Sequence, residues 1–278
     1  MMQYGSTFYI LSIVSLLIIT AVIWLILKKR SKRTKKTVLF ILMLLNVLQH
    51  FLKFIIYPQY YGSGVTYICT AYNMCAVLII SSPAALLLKS RFLKNCVFHI
   101  GAVAGLGAIA APVWFIGLPV SQLGWEYVRF YICHSLLFVS SILVMLLNIH
   151  RASYREFWQI GLGFLLGLCI IMINDVIFMT VGLFPGVSAE NLYESLVSSN
   201  PCMMMGPQEG FEWIADIVKY FSPSFFMGNN PTGEYAPILW YAIPVYLGIC
   251  LISISVFAVS DWKNLHRDAS GLLRRRKG

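Results

Sequence analysis

The sequence predicts an all-α membrane protein, a polytopic bundle of seven transmembrane helices with the N-terminus outside and the C-terminus cytoplasmic. Three observations carry this. Charge is scarce: 12% of the 278 residues are charged and 59% are hydrophobic, with a mean hydropathy of +0.75, whereas a soluble domain carries about 25% charged residues. Seven apolar stretches have the length of a membrane crossing and are too long for barrel strands. The basic residues are confined largely to alternate connections.

Taken in order, the segments are 8–27, 37–57, 71–88, 96–120, 128–148, 159–184 and 237–259. The first is a helix rather than a cleavable leader, because no positive charge precedes it and the cluster "KKRSKRTKK" follows it. The connections after the first, third and fifth segments carry seven, three and two Lys/Arg, and the tail carries six. These make eighteen of 21, and the exceptions are Lys53, Arg129 and Lys219. The odd-numbered connections and the tail therefore face the cytoplasm. The net charge of +10 is accounted for by this topology, so no nucleic-acid partner is expected. The whole chain, 1–278, reads as one membrane domain with an extracellular insertion at 185–236. That connection holds six acidic residues and one Lys. Its stretches "NLYESLV" and "GFEWIADIVKYF" have helical apolar spacing and predict a short amphipathic helix lying on the outer surface or capping the bundle.

Several motifs are packing signals. "GAVAGLG" (Gly101, Gly105, Gly107) and "GLGFLLG" (Gly163, Gly167) have the small-xxx-small spacing of closely approaching helices. Cys96, Cys169 and Cys250 lie in apolar runs and read as core. Cys69 and Cys202 both fall on the outer side, where a disulfide is an open alternative. No phosphate-binding glycine loop occurs. The five His show no HExxH or paired zinc spacing, so no metal or other cofactor is expected. The last segment has no Lys for a retinal Schiff base.

A polar layer stands out. With a rise of about 1.5 Å per residue, Cys75 lies about 6 Å below the outer face, His134 about 9 Å, His50 about 10 Å and Asp175 about 13 Å. Asn46, Gln49, Asn73 and Asn174 add polar atoms, and the cytoplasmic half shows no comparable layer. One explanation is structural: such groups join helices, although each bond contributes only about 0.6 kcal/mol. The other is a site, because ionisable groups in a membrane are costly and mark function.

At these residues the sequence resembles a known family. "AYNMCAVLIISSPAALLL" resembles the helix of YwaF-type bacterial integral membrane proteins that carries a Cys near its outer end. "RFYICHSLLFVSSILVMLL" resembles their later helix, where a His follows an aromatic-rich run. "NPTGEYAPILWYAIPVYL" is similar to the stretch leading into the last helix. The family includes the eukaryotic transmembrane protein 164 acyltransferases, which remodel ether phospholipids through a catalytic cysteine. Ser135 stands where the family has a small residue, often Gly, and 185–221 looks like an insertion. The resemblance implies Cys75 as nucleophile and His134 as its base. A thiol becomes a strong nucleophile once an imidazole takes its proton. Cys133 adjoins His134 but points about 100° away. His50, Asn73, Arg129, Asn174 and Asp175 are candidates for orienting the imidazole or binding substrate. The expected function is acyl transfer from a phospholipid, through a thioester, to a lysophospholipid or other acceptor in the cytoplasmic membrane of a bacterium. A transporter or receptor that binds a small ligand in the polar layer is the alternative.

Overall fold

The computed structural model describes residues 3–56, 65–112, 124–184, 192–208, 210–229 and 233–275. The outer ends of the second and fourth apolar segments, the start of the insertion and the last basic residues lie outside them. Helix dominates, and among the described residues the only β pairing is an isolated bridge between Met227 and Tyr235. Among the described residues, five helices are long and apolar enough to cross a membrane. The chain divides into two compact units, Met1–Arg151 and Ala152–Gly278.

The first unit begins with α1 (Thr7–Leu27), capped by Ser6, whose hydroxyl accepts the Tyr9 N–H. Helix α2 (Lys32–Phe51) is capped by Ser31 in the same way, so it starts within the basic cluster, five residues before the apolar run. The chain breaks at Leu52, turns through α3 (Lys53–Ile56) and resumes at α4 (Val65–Ile68). Next come α5 (Met74–Leu87), α6 (Arg91–Ala110) and α7 (Gly124–Leu146). Their common core includes Leu16, Leu39, Met43, Phe98 and Leu143, all fully buried. Outside it, α1 exposes Leu11, Ile18 and Leu25 at heptad spacing. An apolar stripe left on the outside is what a helix presents to lipid.

Two devices fix α7, the central helix. Tyr127 and Tyr131, one turn apart, face α1. The Tyr127 hydroxyl lies 3.0 Å from Ser12 Oγ and that of Tyr131 lies 2.6 Å from Ser15 Oγ. On another face, Gly101 and Gly105 of α6 let the two backbones touch. A Cβ at Gly105 would stand 2.7 Å from Phe138 N and 2.8 Å from His134 O, both backbone atoms. At Gly101 the obstacle is the Ser141 side chain, 2.5 Å away. Gly107 meets nothing, so only part of the glycine pattern is a packing seam. Gly105→Ala should therefore lower stability by about 1–3 kcal/mol, and Gly101→Ala by less, because a serine can turn aside and a helix backbone cannot. Thermal unfolding in detergent reads the difference; equal melting temperatures would contradict this packing.

The second unit contains α8 (Trp158–Thr180), α9 (Leu192–Ser199), α10 (Glu212–Val218), α11 (Leu239–Ser260) and α12 (Trp262–Arg275). In the glycine run of α8 the close approach is made by Gly161, against Tyr246 and Cys250 of α11. Where the sequence predicts one short amphipathic helix in the insertion, each of the two stretches forms its own, α9 and α10. The segment between them is anchored by Asn200, whose Oδ1 accepts the Met205 N–H at 2.8 Å and whose Nδ2 donates to Gly206 O at 3.0 Å. At the other end, the Ser153 hydroxyl donates to Asp261 at 2.9 Å and the Tyr154 hydroxyl to Asp268 at 2.5 Å, tying the entry of α8 to α12.

Candidate functional site

Cys75 is the second residue of α5, in its first turn. The helix starts there because Asn73 caps it: Asn73 Oδ1 accepts the Ala76 N–H at 2.9 Å and the Asn73 carbonyl accepts the Val77 N–H at 3.1 Å. Asn73 is thus a positioning residue for the thiol. A helix N-terminus carries a partial positive charge and favours an anion, and the thiol there is partly exposed.

His134 lies ten residues into α7, about 15 Å along its axis, because the helix begins at Gly124, four residues ahead of the expected span. Its Nδ1 is 2.8 Å from the Phe130 carbonyl. A carbonyl only accepts, so Nδ1 carries the hydrogen and Nε2 is left with its lone pair. Nε2 has no hydrogen bond among the described residues. The Phe130 ring packs on the imidazole at 4.2 Å between centroids. The partner that orients His134 is therefore its own helix, one turn back, and not one of the side chains expected from sequence.

His50 sits in the last turn of α2, 2% exposed. Its Nε2 donates to Thr70 O at 3.2 Å, a further backbone bond goes to Cys69, and the ring stacks on Tyr72 at 6.4 Å. His50 is thus tied to the segment that leads into α5. Asn46 of the same helix donates to the Cys133 carbonyl at 3.1 Å, while both polar atoms of the Gln49 amide, one turn further on, are buried without a hydrogen-bond partner among the described residues.

These contacts converge on a group that includes residues outside the expected set. Lys53 Nζ donates to Ile68 O and faces the Tyr72 ring at 4.7 Å. Arg129 pairs with Glu126 through both guanidinium arms, one at 2.9 Å. Tyr72 lies within electrostatic range of Arg129, Cys133 and Cys75, and His134 within range of Arg129 and Lys53. Helix α5 packs on α7. Around Tyr72, His50 stacks on the ring and Lys53 lies over it, with Cys75 and Arg129 within electrostatic range; His134 connects to this group through Lys53 and Arg129, and its hydrogen bond among the described residues goes to Phe130, not to Cys75. Lys53 had a signal in the sequence: like Arg129, it breaks the charge asymmetry of the connections.

None of the seven cysteines forms a disulfide. Burial pushes the Cys69 thiol above its ordinary range, more than Lys53 and Arg129 lower it, and Cys133 is only 5% exposed. Cys75 is the most accessible thiol of the group. Asn174 and Asp175 lie on α8 of the second unit, where Asp175 is fully buried. Among the described residues no three His, Cys, Asp or Glu converge as a metal-holding group.

One expectation needs correction. A second buried polar cluster exists toward the opposite end of α6 and α7. Asn95 is fully buried, and His99 and His150 are 7% and 8% exposed. The Asn95 carbonyl accepts from His99 Nδ1 at 2.9 Å, and Asn95 Oδ1 from His150 Nε2 at 2.6 Å. Hydropathy masks this cluster, because His99 opens an apolar run and His150 follows one. No cysteine or cation of the first cluster takes part in those bonds.

Compared with known proteins, the TMEM164 family model matches residues 3–257. The chain belongs to the TMEM164 family. No curated protein and no solved structure matches it. The match runs from before α1 to near the end of α11 and leaves out α12, and Cys75, His134, Lys53 and Arg129 all fall within it.

Proposed function

We propose that this TMEM164-family protein is a phospholipid-dependent acyltransferase with Cys75 as nucleophile and His134 as general base. His134 carries the reading. Its Nδ1–H is committed to Phe130 O and its Nε2 lone pair is available, the state a base needs, while His50 spends its Nε2–H on the Thr70 carbonyl of the segment leading into α5. His99 has the same intrahelical bond but belongs to the separate Asn95–His150 cluster.

In the first half-reaction the Cys75 S–H proton passes to His134 Nε2 and sulfur attacks the acyl carbonyl. The ester C–O bond breaks, the departing lysophospholipid oxygen takes the proton, and a thioester remains on Cys75. In the second, an acceptor hydroxyl gives its proton to His134, its oxygen attacks the thioester and the C–S bond breaks. The sulfur regains the proton. Water as acceptor gives hydrolysis by the same steps. Anionic sulfur forms at the positive end of α5, which stabilises it. Intact-protein mass spectrometry after incubation with phospholipid should show one added acyl chain, absent in Cys75→Ala. An unmodified wild type under turnover without acceptor would remove the thioester from the mechanism.

The same reading places the site in the outer leaflet of a bacterial cytoplasmic membrane. Seven crossings follow if α5 and α11 join the five long helices. Both are apolar, with 14 residues in α5 and described side chains over Leu239–Ser255 in α11. The charge split puts Gln3 outside and Lys263 inside. In a cysteine-free background, a membrane-impermeant maleimide applied to intact cells should label Gln3→Cys and spare Lys263→Cys; the reverse pattern would invert the topology.

A further inference from the structure

Lys53 and Arg129 have a use that the Cys–His chemistry does not require. Lys53 is 2% exposed, and the Arg129 side chain 13%. Burying a cation is costly unless an anion compensates it. Glu126 compensates Arg129. Among the described residues no carboxylate pairs with Lys53, whose ammonium donates to the Ile68 carbonyl and lies over the Tyr72 ring. The titratable neighbours on every side are His50, Cys69, Tyr72, Glu126, Cys133 and His134, and Glu126 is the one carboxylate. Two cations against one carboxylate leave the cluster with one uncompensated positive charge in a region shielded from water. The sequence accepts this cost on the wrong side of its own charge asymmetry: these are two of the three Lys/Arg outside the odd connections and the tail.

We propose that Lys53 and Arg129 bind the phosphate of a phospholipid headgroup. A phosphodiester carries the single negative charge that the cluster lacks, and it sits at the level of the membrane where a glycerolipid ester begins. Lys53 supplies a point charge and Arg129 a planar fork of donors, a complementary pair for phosphate oxygens. Tyr72 connects the two functions: its ring lies against Lys53, and Cys75 follows three residues later at the start of α5. A lipid held by its phosphate at Lys53 and Arg129 extends its acyl esters toward Cys75. The site therefore selects substrates by the anionic phosphate, against neutral glycerolipids of equal chain length. This rests on the acyltransferase reading only in making Cys75 the group that meets the ester; binding itself needs no reaction.

The test uses the full chain with Cys75→Ala, which cannot form a thioester, in nanodiscs of neutral glycolipid. A fluorescent phosphatidylglycerol is displaced by phosphatidylglycerol, by diacylglycerol of the same chains, and by inorganic phosphate. Phosphatidylglycerol should compete at least about tenfold better than diacylglycerol, the weight of one charge-assisted contact. Lys53→Gln and Arg129→Gln should each bring the two lipids close to parity, and Lys53→Arg should keep the preference. Equal competition by both lipids in the parent protein overturns the proposal even if the variants fail to fold. So does a preference that survives both glutamine variants. Displacement by inorganic phosphate as effective as by the lipid would make the site one for soluble phosphate and also overturn it. If Lys53→Gln leaves headgroup preference intact but shifts the pH profile of Cys75 alkylation in the wild-type chain, the cations serve the thiol instead. Headgroup preference without any thioester on wild type would sustain the site while the acyltransferase reading fails.

Discussion

Cys75→Ser leaves the protein folded and removes acyl transfer. The substitution exchanges one atom at a partly exposed position in the first turn of α5, so packing and the Asn73 cap are retained. The hydroxyl is a far weaker nucleophile at its free pKa than a thiol beside a base. Cys133→Ala is the internal control. It removes a thiol that is 5% exposed, which costs some stability through the small cavity left behind but leaves the proposed nucleophile in place. Initial rates of acyl exchange between labelled phospholipid and lysophospholipid, read beside melting temperatures, separate the two thiols. Full activity in Cys75→Ser, or loss in Cys133→Ala without loss of fold, would transfer or abolish the assignment.

His134→Ala should lower the rate by roughly 10²–10⁴-fold, the usual contribution of a positioned base. Combined with Cys75→Ser it should be barely worse than either alone, since nucleophile and base act as a unit. His50→Ala provides the contrast. His50 holds the 69–70 backbone by two hydrogen bonds, so its loss should appear first in melting temperature and only secondarily in rate. A structural role for His134 predicts the opposite, a large drop in stability with transfer retained. If His50→Ala abolishes transfer at unchanged stability while His134→Ala does not, His50 is the base.

Most of the architecture was legible because membrane insertion writes itself into composition. A run of apolar residues at helical length has few other solutions where backbone groups must bond internally, and four of the seven segments correspond to long apolar helices within a few residues of the expected bounds. The disagreements have local causes. Serine caps at 31 and 90 start α2 and α6 ahead of their apolar runs, because a hydroxyl that accepts a backbone N–H sets a helix start irrespective of hydropathy. The third segment begins at Met74 instead of 71 because Asn73 is the cap.

The site was legible as a set of residue types and much less as a set of contacts. Cys75 and His134 stand out in an apolar sequence because lipid gives such groups no partner. What the sequence by itself determined is the class of the protein, an all-helical membrane chain of the TMEM164 family carrying a thiol and an imidazole on separate helices. The tertiary structure alone decided that Phe130 O orients His134, that Asn73 builds the helix start under Cys75, that His50 braces a loop, and that Lys53 and Arg129 share a cluster under Tyr72. The physical reason is range. Hydropathy and charge asymmetry act segment by segment and can be summed along the chain, whereas a hydrogen bond or a buried charge depends on which helix faces reach the same few ångström, and that follows from packing at contacts such as Gly105 against the backbone of α7.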